Sequence, residues 1–194
     1  RFFLCNLQCN GFGQDEPTKP DTWELPYETI DISEIKVVEE LPVFDKGCDS
    51  SYTWAKKYKH LITDRTVEEA VDELTALLPT STFIHAKTGQ AADMVFTGGE
   101  PMLKQAQLSM VAIMREFAKR GDAPARVTVE TNGTKAIHED LVELIDDMHI
   151  SSEFGGITCA MPRSDASPFS IAPLDTVSAV GALPSSNDNK PSSA

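Results

Sequence analysis

The stretch "DMVFTGGEPM", residues 93–102, decides the fold. Met94, Val95 and Phe96 form a short apolar run that reads as a buried strand, and Gly98-Gly99 ends it in a turn. Pro101 suits the first position of a helix, where its missing N–H costs nothing. Leu103, Met110, Met114 and Phe117 then carry an apolar face down to Lys119-Arg120-Gly121, a helix stop. Strand, glycine turn and helix in this order make one βα unit.

The pattern repeats on both sides. "ARVTVETNGT" (125–134) is another strand and turn, "AIHEDLVELIDD" (136–147) predicts a third helix, and "MHIS" (148–151) begins a third strand. Upstream, Thr66 and Glu69 stand at capping-box spacing. Val67, Ala70, Val71, Leu74, Leu77 and Leu78 line one face of a helix that Pro79 ends. Strand and helix alternating at this spacing predict an α/β fold with a parallel sheet. Active sites in such folds gather where the strands end. The turns "TGGEP" and "ETNGT" both follow strands, so both face that edge.

The flanks differ. Residues 10–47 are rich in Pro, Asp, Glu and Thr and read as a long insertion ordered against something else; within it, "IDISEIKVVEELPVF" (30–44) predicts a strand or a strand pair. From Ser151 to Ala194 there are ten serines and five prolines and no sustained periodicity. That composition predicts a disordered Ser/Pro/Ala-rich tail behind a core of residues 1–150. The βα pattern thus stops with its sheet unclosed.

A chain of 194 residues suits one domain. The net charge of −13 argues against direct nucleic-acid binding, which needs clustered Lys and Arg. No apolar run approaches the roughly 20 residues that cross a bilayer. Cys5, Cys9, Cys48 and Cys159 without a secretory segment point to a reducing compartment, the cytoplasm, where grouped cysteines are more often a metal or redox site than a disulfide framework.

Cys5 and Cys9 form a CxxxC pair in "CNLQC", with Phe12 where a CxxxCxxC loop has its third cysteine. Cys48, in "KGCDSSYTW" (46–54), is the remaining thiol near a motif. Three thiolates on a cubane iron–sulfur cluster leave one iron free to bind something else. Buried thiols that bind nothing are equally open on these residues alone, and a zinc ion completed by His60 or His85 is a further alternative, although the CxxC knuckles of common zinc modules are absent. The Gly98-Gly99 pair lets backbone groups approach a ligand without side-chain obstruction.

Taken together, Arg1 with "CNLQC", "GCDSSYTW", "FTGGEPML" and "VETNGT" resemble the radical S-adenosylmethionine superfamily, and within it the bacteriophage-type 7-carboxy-7-deazaguanine synthases. The motifs fall in family order over residues 1 to 135. The resemblance implies a partial (β/α) radical-SAM barrel, truncated at both ends, with the third cluster ligand displaced by the insertion. It implies a 4Fe–4S cluster on Cys5, Cys9 and Cys48 that binds S-adenosylmethionine and reduces it to a 5′-deoxyadenosyl radical. The radical would convert 6-carboxytetrahydropterin to 7-carboxy-7-deazaguanine, a lyase reaction of queuosine-type biosynthesis. Gly98, Gly99, Glu100, Asp49 and Asn132 would bind the cofactor. Arg1, Thr97 and Glu130 would contact substrate, and Ser50 would hold Mg²⁺ through its hydroxyl. No side chain is implied as a catalytic acid or base. An electron donor such as flavodoxin and a homodimer are compatible partners, with no direct nucleic-acid or membrane contact.

The match has gaps: "HISSEFGGITCAMPRSD" lacks the lysine of the family's Ser-Pro-Lys segment, and Cys159 fits no cluster position. Two rival readings stand beside it, a small radical activase acting on a partner protein and a non-catalytic binding protein on a truncated fold.

Overall fold

The structure is a computed structural model that describes residues 2–151 and 176–180. Its elements are α1 (Pro26–Thr29), β1 (Ile62–Thr66), α2 (Val67–Leu77), β2 (Met94–Phe96), α3 (Lys104–Lys119), β3 (Val127–Thr131), α4 (Glu139–Val142), β4 (Asp147–Ile150) and β5 (Thr176–Val180), with short 3-10 turns between them. The fold is mixed α/β. Strands β2, β3 and β4 form a parallel three-stranded sheet in that order, and β1 pairs antiparallel with β5. Among the described residues the parallel sheet does not close on itself.

Helix α2 begins as its sequence demands. Glu69 N–H donates to the Thr66 hydroxyl at 3.2 Å, and Thr66 N–H donates to the Glu69 carboxylate at 2.8 Å. Val71 is fully buried and Val67, Ala70, Leu74 and Leu78 pack around the core, whereas Leu77 points outward and is exposed. Helix α3 starts at Lys104 rather than Pro101, because the Glu100 carboxylate accepts the Met102 N–H and holds Pro101-Met102 in a separate turn. Met110, Met114 and Phe117 face the core from α3 as read. The chain leaves α3 by a Schellman turn, Gly121 N–H to Ala118 O and Asp122 N–H to Phe117 O.

Two expectations fail on backbone hydrogen bonding. The helix read over 136–147 is only the four residues of α4. Asp146 N–H goes to Val127 O and the Asp146 carboxylate accepts Val127 N–H, so the chain is already committed to the sheet before a second turn can form. No strand forms over 30–44, which holds a 3-10 turn at Val38–Glu40 instead. Its carbonyls are met by local turn N–H groups, as at Ile32, Val37 and Val38, and by side-chain donors rather than by a ladder. Lys57 Nζ donates to Glu28 O and Ile30 O, and the His60 ring lies 3.0 Å from Ile35 O.

The core has two parts. Phe2, Phe83, Phe96 and Val129 pack with α2 and α3 on one face of the sheet. Tyr27, Ile32, Tyr52, Tyr58 and Leu61 make a second cluster that seats the 10–47 insertion on the segment behind Cys48. The insertion is ordered against something, as its apolar residues required.

Thr176–Val180, in the stretch read as a tail without a strand pattern, is β5; residues 152–175 and 181–194, with Cys159, lie outside the described residues, as does Arg1. Among the described residues no helix is long and apolar enough to cross a membrane.

Candidate functional site

Four segments end on one edge. Phe2 pairs in parallel with Gly98, which extends the parallel arrangement by one extended segment beside β2. The residues that follow it, and those that follow β2, β3 and β4, wall a cavity of about 270 Å³. Cys5 and Cys9 come from the first segment, Thr97, Gly98 and Gly99 from the second, Glu130 and Asn132 from the third and Ser151 from the fourth. Cys48, Asp49 and Ser50 complete the wall from the far end of the insertion.

The glycine pair explains how Cys5 gets there. Phe2 N–H donates to Thr97 O at 2.9 Å, Gly99 N–H to Phe2 O at 3.0 Å, and Glu100 N–H to Leu4 O at 2.9 Å. A Cβ on Gly98 would stand 2.3 Å from Phe2 O, and one on Gly99 would stand 2.1 Å from Leu4 O. The sequence reading assigned this bareness to a ligand. In the structure it first admits another stretch of backbone. Leu4 then takes the left-handed conformation, φ +70°, uncommon for a residue with a Cβ, and turns the chain out of the sheet at Cys5.

The insertion returns to its starting point. Gly47 N–H donates to Phe12 O at 2.8 Å, and Gly13, at φ +68°, lies so close to Asp45 that a Cβ there would meet its carbonyl oxygen at 2.1 Å. The two ends of the excursion are thereby stapled together, which sets Cys48 beside Cys9 on the cavity wall. Phe12 is a wall residue as well and stands in for no ligand.

Cys5 and Cys48 already meet hydrogen-bond donors at sulfur. Leu7 N–H approaches Cys5 Sγ at 3.4 Å, and the Trp54 indole N–H approaches Cys48 Sγ at 3.4 Å. Burial is the main reason Cys5 is pushed up from 9.0 to about 11, with the negative charges of Cys48 and Glu100 adding to it. Burial likewise raises Cys48, against the opposing pull of the Trp54, Cys9 and Ser50 N–H groups. Both are therefore neutral thiols near pH 7 until a cation displaces their protons. One consequence is testable in the metal-free chain. Cys5 loses its proton at a lower pH unfolded than folded, so its contribution to stability is full below pH 9 and is lost as pH rises towards 11. Urea unfolding across that window should show the decline, and Cys5→Ser should make it shallower.

Among the described residues no group of three or more His, Cys, Asp or Glu side chains is drawn together as a ligand set. The donor chemistry nonetheless suits a bound iron–sulfur group: three thiols share one cavity wall, two of them with N–H donors directed at sulfur, as outer-shell partners of thiolate ligands are. The zinc alternative gains nothing, since neither His60 nor His85 belongs to the wall. The His60 ring faces the carbonyls of Lys57 and Ile35, and His85 Nδ1 accepts the N–H groups of Lys87 and Thr88.

Of the two polar residues assigned to the cofactor at these turns, Asn132 lines the cavity and Glu100 does not. Glu100 is fully buried and is not part of the wall. Its carboxylate accepts Met102 N–H at 2.8 Å, the Thr131 hydroxyl at 2.6 Å and Asn132 N–H at 2.9 Å. It ties the β2 turn to the β3 turn. Asn132 lines the cavity, but its carboxamide is engaged: Nδ2 donates to Asn6 Oδ1 and lies 4.0 Å from Cys5 Sγ, while Oδ1 accepts from Thr134. "ETNGT" thus clamps the Cys5 loop.

Glu130 and Asp49 are exposed. The Ser50 hydroxyl donates to Asp49 Oδ1 at 3.1 Å, which puts two oxygen side chains side by side. Sequence reasoning missed Thr131, Leu4 and the sulfur contact of Trp54. A tryptophan six positions after a cysteine was the one signal available for the last of these.

Fold and site together define a mixed α/β chain with a thiol-walled cavity at the C-terminal edge of an open parallel sheet. No family model, curated protein or solved structure matches the chain.

Proposed function

We propose that this chain is a radical S-adenosylmethionine enzyme of the 7-carboxy-7-deazaguanine synthase type. The observation that carries the reading is the shared cavity: Cys5, Cys9, Cys48, Asp49, Ser50, Thr97, Gly98, Gly99, Glu130 and Asn132, from segments far apart in sequence, line one wall at the sheet edge, while Glu100 is buried behind it and Arg1 lies outside the described residues. Cys5, Cys9 and Cys48 would hold a 4Fe–4S cluster, which would supply the electron for reductive cleavage of S-adenosylmethionine. Gly98 and Gly99 offer bare backbone to the methionine end of that cofactor. Thr97 and Glu130 face the space left for the pterin. Asp49 and Ser50 supply the oxygens that a hard cation such as Mg²⁺ prefers. Glu100 acts at one remove, by fixing both turns. The partial barrel and its truncation belong to this same reading.

Anaerobic reconstitution with iron and sulfide, followed by product analysis with 6-carboxytetrahydropterin and S-adenosylmethionine, tests it. 7-Carboxy-7-deazaguanine is the expected product, and a fully loaded protein that forms none contradicts the assignment. For the cation site, Ser50→Ala should weaken the Mg²⁺ dependence of turnover and leave iron content unchanged. Turnover indifferent to Mg²⁺ in the unaltered chain would remove Ser50 from that role.

One observation favours a second reading, a protein that binds the cofactor without turning over. Among the described residues the parallel sheet has three strands and is open, so less protein surrounds the pterin space than in a closed barrel. Cofactor binding without product would select it.

A further inference from the structure

The insertion of residues 10–47 has so far been only a detour between the second and third cysteines. Its packing says more. Tyr27, at its centre, is almost completely buried, and its ring meets that of Trp54 edge-on, with centroids 5.5 Å apart. Tyr27 is itself pinned at both ends. Its hydroxyl lies 3.1 Å from Asn10 Oδ1, and its carbonyl accepts the Tyr58 hydroxyl at 2.8 Å. Trp54 is thus locked against the insertion's core, and its one polar atom, Nε1, points at Cys48 Sγ from 3.4 Å. Trp54 is not part of the cavity wall, and its contact with the site is the one to Cys48 Sγ.

We infer that Trp54 is a positioning residue for the third cluster thiolate, and that the insertion serves to hold its indole N–H on Cys48. The inference rests on the cluster reading above. A thiolate bound to iron keeps lone pairs that can accept such a bond. An N–H donor there draws electron density from the sulfur and raises the reduction potential of the cluster. It also fixes the ligand's direction, which slows its release. The other two thiols come from a short loop clamped by Asn132 and Leu7. Cys48, arriving at the end of a long excursion, has the greater need of a fixed donor.

Trp54→Phe keeps a ring against Tyr27 and removes the N–H. In the full chain, reconstituted anaerobically, the variant should show a lower midpoint potential in an EPR-monitored titration. It should also lose iron to a chelator roughly 10-fold faster, the lower end of what outer-shell changes cost metal sites. If Trp54→Phe does not fold, incorporation of benzothienylalanine at position 54 removes the N–H with the fused ring shape intact.

A third readout needs no cluster. The chain has two tryptophans and hence two indole ¹⁵N–H resonances; Trp23 donates elsewhere, to Glu16 O. Cys48→Ala should shift the Trp54 resonance and speed its exchange while leaving that of Trp23 unchanged. A cluster whose potential and iron loss ignore the missing N–H overturns the inference alone. A chain that takes up no cluster but shows the indole response overturns the cluster reading and, with it, the tuning role, while keeping the bond as a structural contact. An indole resonance that ignores Cys48→Ala removes the bond itself.

Discussion

Glu100→Ala should destabilise the fold by about 3–5 kcal/mol, a loss that single substitutions seldom reach. The carboxylate is fully buried and takes three donors, Met102 N–H, the Thr131 hydroxyl and Asn132 N–H. Truncation strands all three. Each unsatisfied buried donor costs roughly 1–3 kcal/mol, less whatever water entering from the neighbouring cavity restores. Because two of the donors lie in the β3 turn, Asn132 should also release its hold on the Cys5 loop. Urea titration gives the stability change, and amide exchange at Asn132 reports the turn. A loss below about 1 kcal/mol would mean that the carboxylate is not the tie between the two turns.

Gly99→Ala should be nearly as damaging, by about 3 kcal/mol, at the upper end of what forced overpacking costs. The added methyl would sit 2.1 Å from Leu4 O and 2.7 Å from the Thr53 hydroxyl oxygen, and the nearer of these is main chain that has no rotamer to change. Relief would require the Phe2–Leu4 segment to leave β2, which breaks the bonds from Gly99 N–H and Glu100 N–H and withdraws Cys5 from the cavity. Gly121→Ala is the control. No atom lies within 4 Å of a Cβ there, so its cost is the left-handed backbone alone, about 1 kcal/mol. Equal losses at the two positions would show that the Leu4 contact is not what excludes a side chain at Gly99.

What was legible in the sequence is what depends on neighbours along the chain. The capping box of α2, the apolar face of α3 and the strand-to-turn steps at Thr97 and Asn132 all follow from residues within a few positions of one another. The parallel sheet followed from their alternation. What was not legible depends on partners distant in sequence. That Gly98-Gly99 must also admit the Phe2–Leu4 backbone, and that Glu100 takes three donors in the interior, depends on segments far from that turn. Ile30, Ile32 and Ile35 look like strand residues, but Ile30 O and Ile35 O meet Lys57 and His60 from another segment, and Ile32 O takes the Ile35 N–H in a local turn. β1 escaped notice for a similar reason. Ile62–Thr66 has little alternation of its own, and its partner Thr176–Val180 sits in a stretch whose serines and prolines argued against any strand. For the candidate site, the family resemblance named Cys5, Cys9, Cys48, Asp49, Ser50, Thr97, Gly98, Gly99, Glu130 and Asn132, which share one cavity wall, and Glu100, whose burial behind that wall no local pattern reveals.

The central claim is that cysteines from two separate motifs hold one cluster that binds S-adenosylmethionine. EPR of the anaerobically reconstituted and reduced chain, recorded with and without S-adenosylmethionine, tests this most directly when Cys48→Ala is measured beside it. The account predicts a cubane-type signal that changes on adding S-adenosylmethionine and is lost or converted in Cys48→Ala. A signal that ignores S-adenosylmethionine, or a cluster equally intact without Cys48, would contradict it.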